Sequence, residues 1–186
     1  MIPPFDHNLV LPPHLGNPAN PNEISPYRCS TVELCMRFST SPQRIDILKG
    51  LLVFRDRMRG LGLKRGFQWL DGSFLENIEV SENRPPNDLD IITMYWGYES
   101  AFLEYILENF PEFADTRSSK KTYKLDHYNV DIGINPEFTV DNARYWSQLF
   151  SHNRSGVWKG MLRLEINTPD DDEIANLYLN NVLDGQ

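Results

Sequence analysis

The residues best suited to chemistry in this chain are Gly72 and Ser73, the pair Asp88 and Asp90, and Asp131. Asp88 and Asp90 stand two apart in Asn87-Asp-Leu-Asp-Ile-Ile92, an alternating segment with β-branched residues. On a strand, side chains two apart leave the same face. Two neighbouring carboxylates repel, and burying both is costly unless a cation compensates. Hard oxygen donors select Mg2+ or Mn2+. A third acid on an adjacent strand would complete a clamp for two ions, about 4 Å apart, that serves in-line displacement at phosphorus. Asp131, flanked by Val130 and Ile132, is expected in that place. Gly72 lets backbone approach a phosphate closely. Ser73 adds a hydroxyl, and amides at a helix start bind anions.

These residues need strands to carry them. The first part of Gly66–Glu76 reads as a buried strand, and Gly72-Ser73 as a tight turn into a short helix. Residues 77–87 are polar with two prolines and read as a loop. Asp88–Met94 reads as a strand, and Tyr123–Ile134 as one or two more, with 129–134 the strongest part. Helical spacing is expected from Ser41, where Pro42 fits a first turn and Gly60 and Gly62 can end the element. Helices are also expected over 98–110 and 139–152, with a strand over 160–166. The acids 170–173 suit the positive end of a last helix without any function. Ser30–Phe38 is a short element of open type. Alternating strands and helices give an α/β (α+β) layered fold. Residues 1–28 hold seven of the thirteen prolines and read as an extended arm, with 29–186 as one domain. Ile2, Phe5, Leu9, Val10 and Leu11 make the arm apolar enough to dock.

An apolar strand ending in Gly72-Ser73, followed by a strand with Asp88-x-Asp90, resembles the signature of the DNA polymerase β-like nucleotidyltransferase superfamily, closest to its small stand-alone bacterial and phage members. The resemblance implies a mixed sheet flanked by helices. It implies that Gly72 and Ser73 contact the triphosphate of a nucleoside triphosphate, and that the two acids hold metal. By position Asp131 matches the third acid, with Asp126 second in line. The activity implied is metal-dependent transfer of a nucleoside monophosphate to an acceptor: an RNA, a protein hydroxyl or a small molecule. Some such proteins serve toxin–antitoxin or phage-defence systems. Residues 1–40 and 140–186 match no functional motif.

Other residues carry two readings each. Arg117–Lys124 is the densest basic patch, either a solvated hairpin or an attractor of triphosphate or RNA. In the loop Asn153–Gly160, Trp158 reads as a core anchor, the alternative being a base stacked on it with Lys159 at a phosphate. Lys159 thus joins Gly72 and Ser73 as an expected nucleotide contact. Arg44, Lys49, Arg55, Arg57 and Arg59 on the second helix read as a solvated face. Glu76 reads as a local cap or pairing residue.

Composition limits the alternatives. A net charge of −8 argues against holding nucleic acid by charge alone. The cysteines, Cys29 and Cys35, read as reduced thiols, and no zinc spacing occurs among the four histidines. No secretory signal and no apolar run of membrane-spanning length is seen, so a cytoplasmic location and no membrane partner are expected. A second functional class remains: a catalytically inactive binding module of the same fold, regulating a partner protein, to which the arm is suited. A metal-dependent nuclease would use the acids but not the Gly-Ser turn.

Overall fold

Two serines start the first helices in the computed structural model, which describes residues 1–184. Ser30 and Glu33 exchange side-chain and backbone hydrogen bonds of 3.1 and 3.0 Å, a capping box that opens α1 (Thr31–Phe38). The Ser41 hydroxyl caps α2 (Pro42–Gly60), with Pro42 in its first turn as expected. The chain continues through β2 (Gly66–Asp71), a 3-10 turn (Ser73–Leu75), α3 (Ile78–Ser81), β3 (Leu89–Tyr95) and α4 (Ser100–Asn109). It ends with α5 (Thr116–Tyr123), β4 (Leu125–Asp131), α6 (Pro136–Phe150), β5 (Leu162–Glu165) and α7 (Pro169–Asp184). A two-residue strand, β1 (Tyr27–Arg28), precedes them all. Among the described residues this makes a five-stranded mixed sheet flanked by seven α-helices, in strand order β1-β5-β2-β3-β4. No helix of the described residues is long and apolar enough to cross a membrane.

Parity along the strands sorts side chains between two cores. Leu70, Leu89, Ile91 and Leu125 pack against Leu48, Leu51 and Phe54 of α2. Ile92, Met94 and Val130 face the other way, onto Trp146 and Phe150 of α6. Each fully buried side chain of this size contributes about 1.5–3 kcal/mol. The pairing is antiparallel between β2 and β3, with Asp71 opposite Asp90, and parallel between β3 and β4, with Asp90 opposite Asp126.

Three local expectations are corrected. Arg117–Lys124 forms no hairpin, because Asp115 caps a helix over 116–123. The loop over 77–87 contains the single turn α3. The cationic face of α2 is not solvated as a whole: Arg44, Arg55 and Arg59 are buried. Arg55 donates to Asp172 at 2.8 Å and to Gln68 at 2.6 Å, so one acid of the first turn of α7, Asp172, serves as a buried partner for α2.

The arm lies on the domain rather than away from it. Val10 and Leu11 are buried, and Ile2 and Phe5 pack against the main core. Backbone bonds from Asn77 N to Leu9 O (2.8 Å) and from Gly160 N to Leu11 O (2.7 Å) stitch it to two loops.

Candidate functional site

Asp71, Asp90 and Asp126 stand side by side at one end of β2, β3 and β4 and share the α6 face of the sheet. Asp88, two residues before Asp90, extends the group. Asp90 feels all of them: burial first, then Asp88, Asp71 and Asp126, push its carboxyl up to about 7. Burial likewise pushes Asp71 up to about 6, against the opposing pull of Lys159. The four carboxylates thus form a row in which the charges of Asp88, Asp71 and Asp126 add to burial in disfavouring the ionised form of Asp90.

The Gly-Ser turn is built into this row. Gly72 has φ +84°, and a Cβ there would fall 1.9 Å from Asp90 Oδ2. Only glycine allows both the backbone angle and the approach of that carboxylate. The space expected for a phosphate beside Gly72 is bordered by the Asp90 carboxylate. The turn is held from two sides. Lys159 Nζ lies 3.1 Å from Gly72 O, 2.7 Å from Glu76 Oε1 and 3.1 Å from Asp71 Oδ1. The last is an ion-pair distance without hydrogen-bond alignment, and Asp71 Oδ1 accepts no hydrogen bond. From the other side Arg44 donates to Phe74 O at 2.6 Å and Glu76 O at 2.7 Å. Ser73, partly exposed, opens the 3-10 turn beside this rigid frame.

Two of the expected site residues lie elsewhere or do something else. Asp131 pairs with Tyr95, not with Asp90. Five residues down β4 amount to about 16 Å, and an odd offset from Asp126 turns its side chain to the opposite face. There Asp131 Oδ1 accepts from Gly133 N at 2.8 Å and the carboxylate helps push Tyr95 up to about 12, after burial. Asp126, second in line on sequence, takes the third place. Lys159 is 2% exposed and spends its ammonium on Asp71, Glu76 and Gly72, so it braces the turn rather than reaching out to a phosphate. Trp158 is also corrected: it is exposed beside His14 rather than buried as a core anchor.

Two members were missed. Asp71 directly precedes Gly72 and shares the parity of Phe67 and Trp69. Pairing the two strands through their apolar residues would have set it opposite Asp90. Lys120, on the last turn of α5, bonds Asp88 Oδ2 and stands 3.6 Å from Asp126 Oδ2. Nothing local in the sequence signals that contact.

The donors suit a divalent cation in kind. Five carboxylates, Asp71, Glu76, Asp88, Asp90 and Asp126, are served by two ammonium groups, Lys120 and Lys159. Among the described residues Asp90 has no ion-pair partner, and no three His, Cys, Asp or Glu side chains are already gathered as a ligand set. The row therefore offers hard oxygen and surplus negative charge, with Lys120 standing between two of its acids. Two surface cavities lie elsewhere, one beside Phe5 and Arg44 and the other between α2 and α7.

Fold and site define a mixed-sheet α/β protein with a carboxylate row next to a braced Gly-Ser turn. A family model described as "Family of unknown function (DUF6932)" matches residues 3–165, and the chain belongs to that family. The match takes in the arm from Pro3 on, all five strands and every residue of the row. No curated protein and no solved structure matched the chain.

Proposed function

We propose that this protein is a metal-dependent nucleotidyltransferase that moves a nucleoside monophosphate from a nucleoside triphosphate to an acceptor hydroxyl. The observation that carries the reading is the register Asp71–Asp90–Asp126 across three adjacent strands, with Gly72 closed against Asp90. Asp88, Asp90 and Asp126 would hold Mg2+ or Mn2+. When bound, such ions supply charge for the phosphates and lower the pKa of an attacking hydroxyl. The chain itself does the remaining work. Ser73 and the turn at Gly72 offer a hydroxyl and backbone to the leaving phosphates. Lys159 and Arg44 keep that turn fixed, so orientation is prepaid before the nucleotide arrives. Asp126, the acid at the edge strand, is placed to take the proton of the attacking hydroxyl.

The test is calorimetry with Mg2+ and each of the four nucleoside triphosphates. Wild type is expected to bind at least one of them only when the metal is present. Asp90→Asn should weaken that binding by more than roughly tenfold while the thermal melt holds or rises. Binding that ignores both the metal and Asp90 would overturn the proposal.

A second reading has its own support. Lys120 already stands between Asp88 and Asp126, and Lys159 is consumed by the turn, as in a site whose charge is balanced internally. On that reading the protein is an inactive module of the same fold that binds and regulates a partner protein. Absence of any metal-dependent nucleotide binding would favour it.

A further inference from the structure

Two lysines neutralise the acid row, and they are held in different ways. Lys159 is 2% exposed and fixed by three partners. Lys120 projects from the end of α5 with half its side chain in solvent, and only carboxylates hold it: Asp88, in contact, and Asp126 at 3.6 Å. A lysine is a compact charge on a flexible four-carbon stem. A half-exposed stem of that kind changes rotamer without disturbing the fold. An ammonium group and a divalent ion cannot occupy the same space between Asp88 and Asp126. They compete for the same oxygens.

We infer that Lys120 is a tethered, exchangeable cation: it occupies Asp88 and Asp126 before a divalent ion binds, yields them to the ion, and then turns to a phosphate oxygen of the nucleotide. This inference rests on the nucleotidyltransferase reading of the row. It assigns Lys120 two effects of opposite sign. Before the nucleotide, the lysine weakens metal binding by occupying its ligands. With the nucleotide, it strengthens binding by meeting the phosphates as a point charge. A lysine that merely braces α5 would produce neither.

The experiment measures Mn2+ binding by electron paramagnetic resonance, then binding of a non-hydrolysable nucleoside triphosphate by calorimetry at saturating Mn2+. Lys120→Met should bind Mn2+ alone roughly fivefold more tightly than wild type. It should bind the triphosphate analogue about tenfold more weakly. The neighbouring Lys121→Met makes the same change of net charge from an exposed position with no ion-pair partner among the described residues, and should do neither. Circular dichroism checks the fold, and Lys120→Gln repeats the comparison if the methionine variant unfolds. Equal or weaker Mn2+ binding by the Lys120 variants, or the same gain in Lys121→Met, overturns the inference while leaving the metal site standing. Wild type and all variants failing to bind Mn2+ would overturn both.

Discussion

Strands β2, β3 and β4 carry polar groups on both faces, and the two sets are balanced differently. On the α2 face, His127 Nε2 meets Thr93 Oγ1 at 2.9 Å, Gln68 Nε2 donates to the same hydroxyl at 3.0 Å, and Arg55 donates to Gln68 at 2.6 Å. Arg55 and Arg59 both end on Asp172. Burial pulls the Arg55 pKa down and Asp172 resists it, while burial holds His127 down at about 3 and therefore neutral. On the α6 face the row of Asp71, Asp88, Asp90 and Asp126, with Glu76 of the adjoining turn, shares two ammonium groups, and Asp90 is pushed up to about 7. A buried charge with a fixed opposite partner is a device for holding elements together. A surplus of like charges on adjacent strands is a cost, which a ligand can relieve.

The largest expected effect breaks the balanced side. Asp172→Ala leaves the Arg55 and Arg59 guanidinium groups buried without a carboxylate. The loss should be about 3–5 kcal/mol of unfolding free energy, read from urea denaturation. A loss below about 1 kcal/mol would mean that the two faces do not differ as argued, because the arginines would have to find water or other acceptors at little cost.

A smaller effect sharpens the unbalanced side through pH. Burial and the neighbouring acids push Asp90 up to about 7 from the ordinary aspartate range, so the folded state takes up the proton first. Its ionisation destabilises the fold, and stability must therefore rise as pH falls through 7, the gain being complete near the unfolded value. His127 has the opposite sign: its folded pKa is about 3, and protonation of the unfolded chain erodes stability below about 6.5. Asp71, pushed up to about 6, contributes mainly below that window. Between pH 8 and 6.5 Asp90 dominates these three. Metal-free wild type should gain roughly 0.5–1 kcal/mol over that interval, and Asp90→Asn should not. Equal slopes for the two proteins in urea titrations with chelator would remove Asp90 as the site of strain. Saturating Mg2+ should flatten or reverse the wild-type slope, since the ion favours the carboxylate.

Much of the frame was legible because local rules set it. Ser41-Pro42 began α2 where capping chemistry puts a helix start, and alternation placed β3 to within a residue. The Gly72 turn and the Asp88–Asp90 pair were readable from type and spacing. What could not be read was register. Asp126 and Asp131 both belong to β4, and only the pairing of Asp90 with Asp126 chooses between them. The strength of 129–134 as a strand pattern favours Asp131, at the end of β4 that pairs with Tyr95 rather than with Asp90. Lys159 and Trp158 illustrate a different limit. Both sit in a loop, where burial is set by packing against distant segments such as Gly72, Glu76 and His14. The burial of Arg55 and Arg59 was hidden for the same reason, since the acid they share, Asp172, is 117 residues away from Arg55 along the chain.

The smallest expected effect is also the one that isolates register. Asp131→Asn and Asp126→Asn remove the same charge from the same strand. If the site is the row at Asp90, Asp126→Asn deletes a metal ligand and should weaken Mn2+ binding by more than roughly tenfold. Asp131→Asn acts only through space, across about 16 Å and a screening length of about 8 Å, and should leave affinity within roughly twofold of wild type. Its fold should hold too, because an asparagine oxygen can still accept the bond from Gly133 N. Equal losses in the two variants would mean that charge at large, rather than ligation at one end of β4, governs the ion. A larger loss in Asp131→Asn would move the metal to the far end of the strand and dissolve the contrast between the two faces.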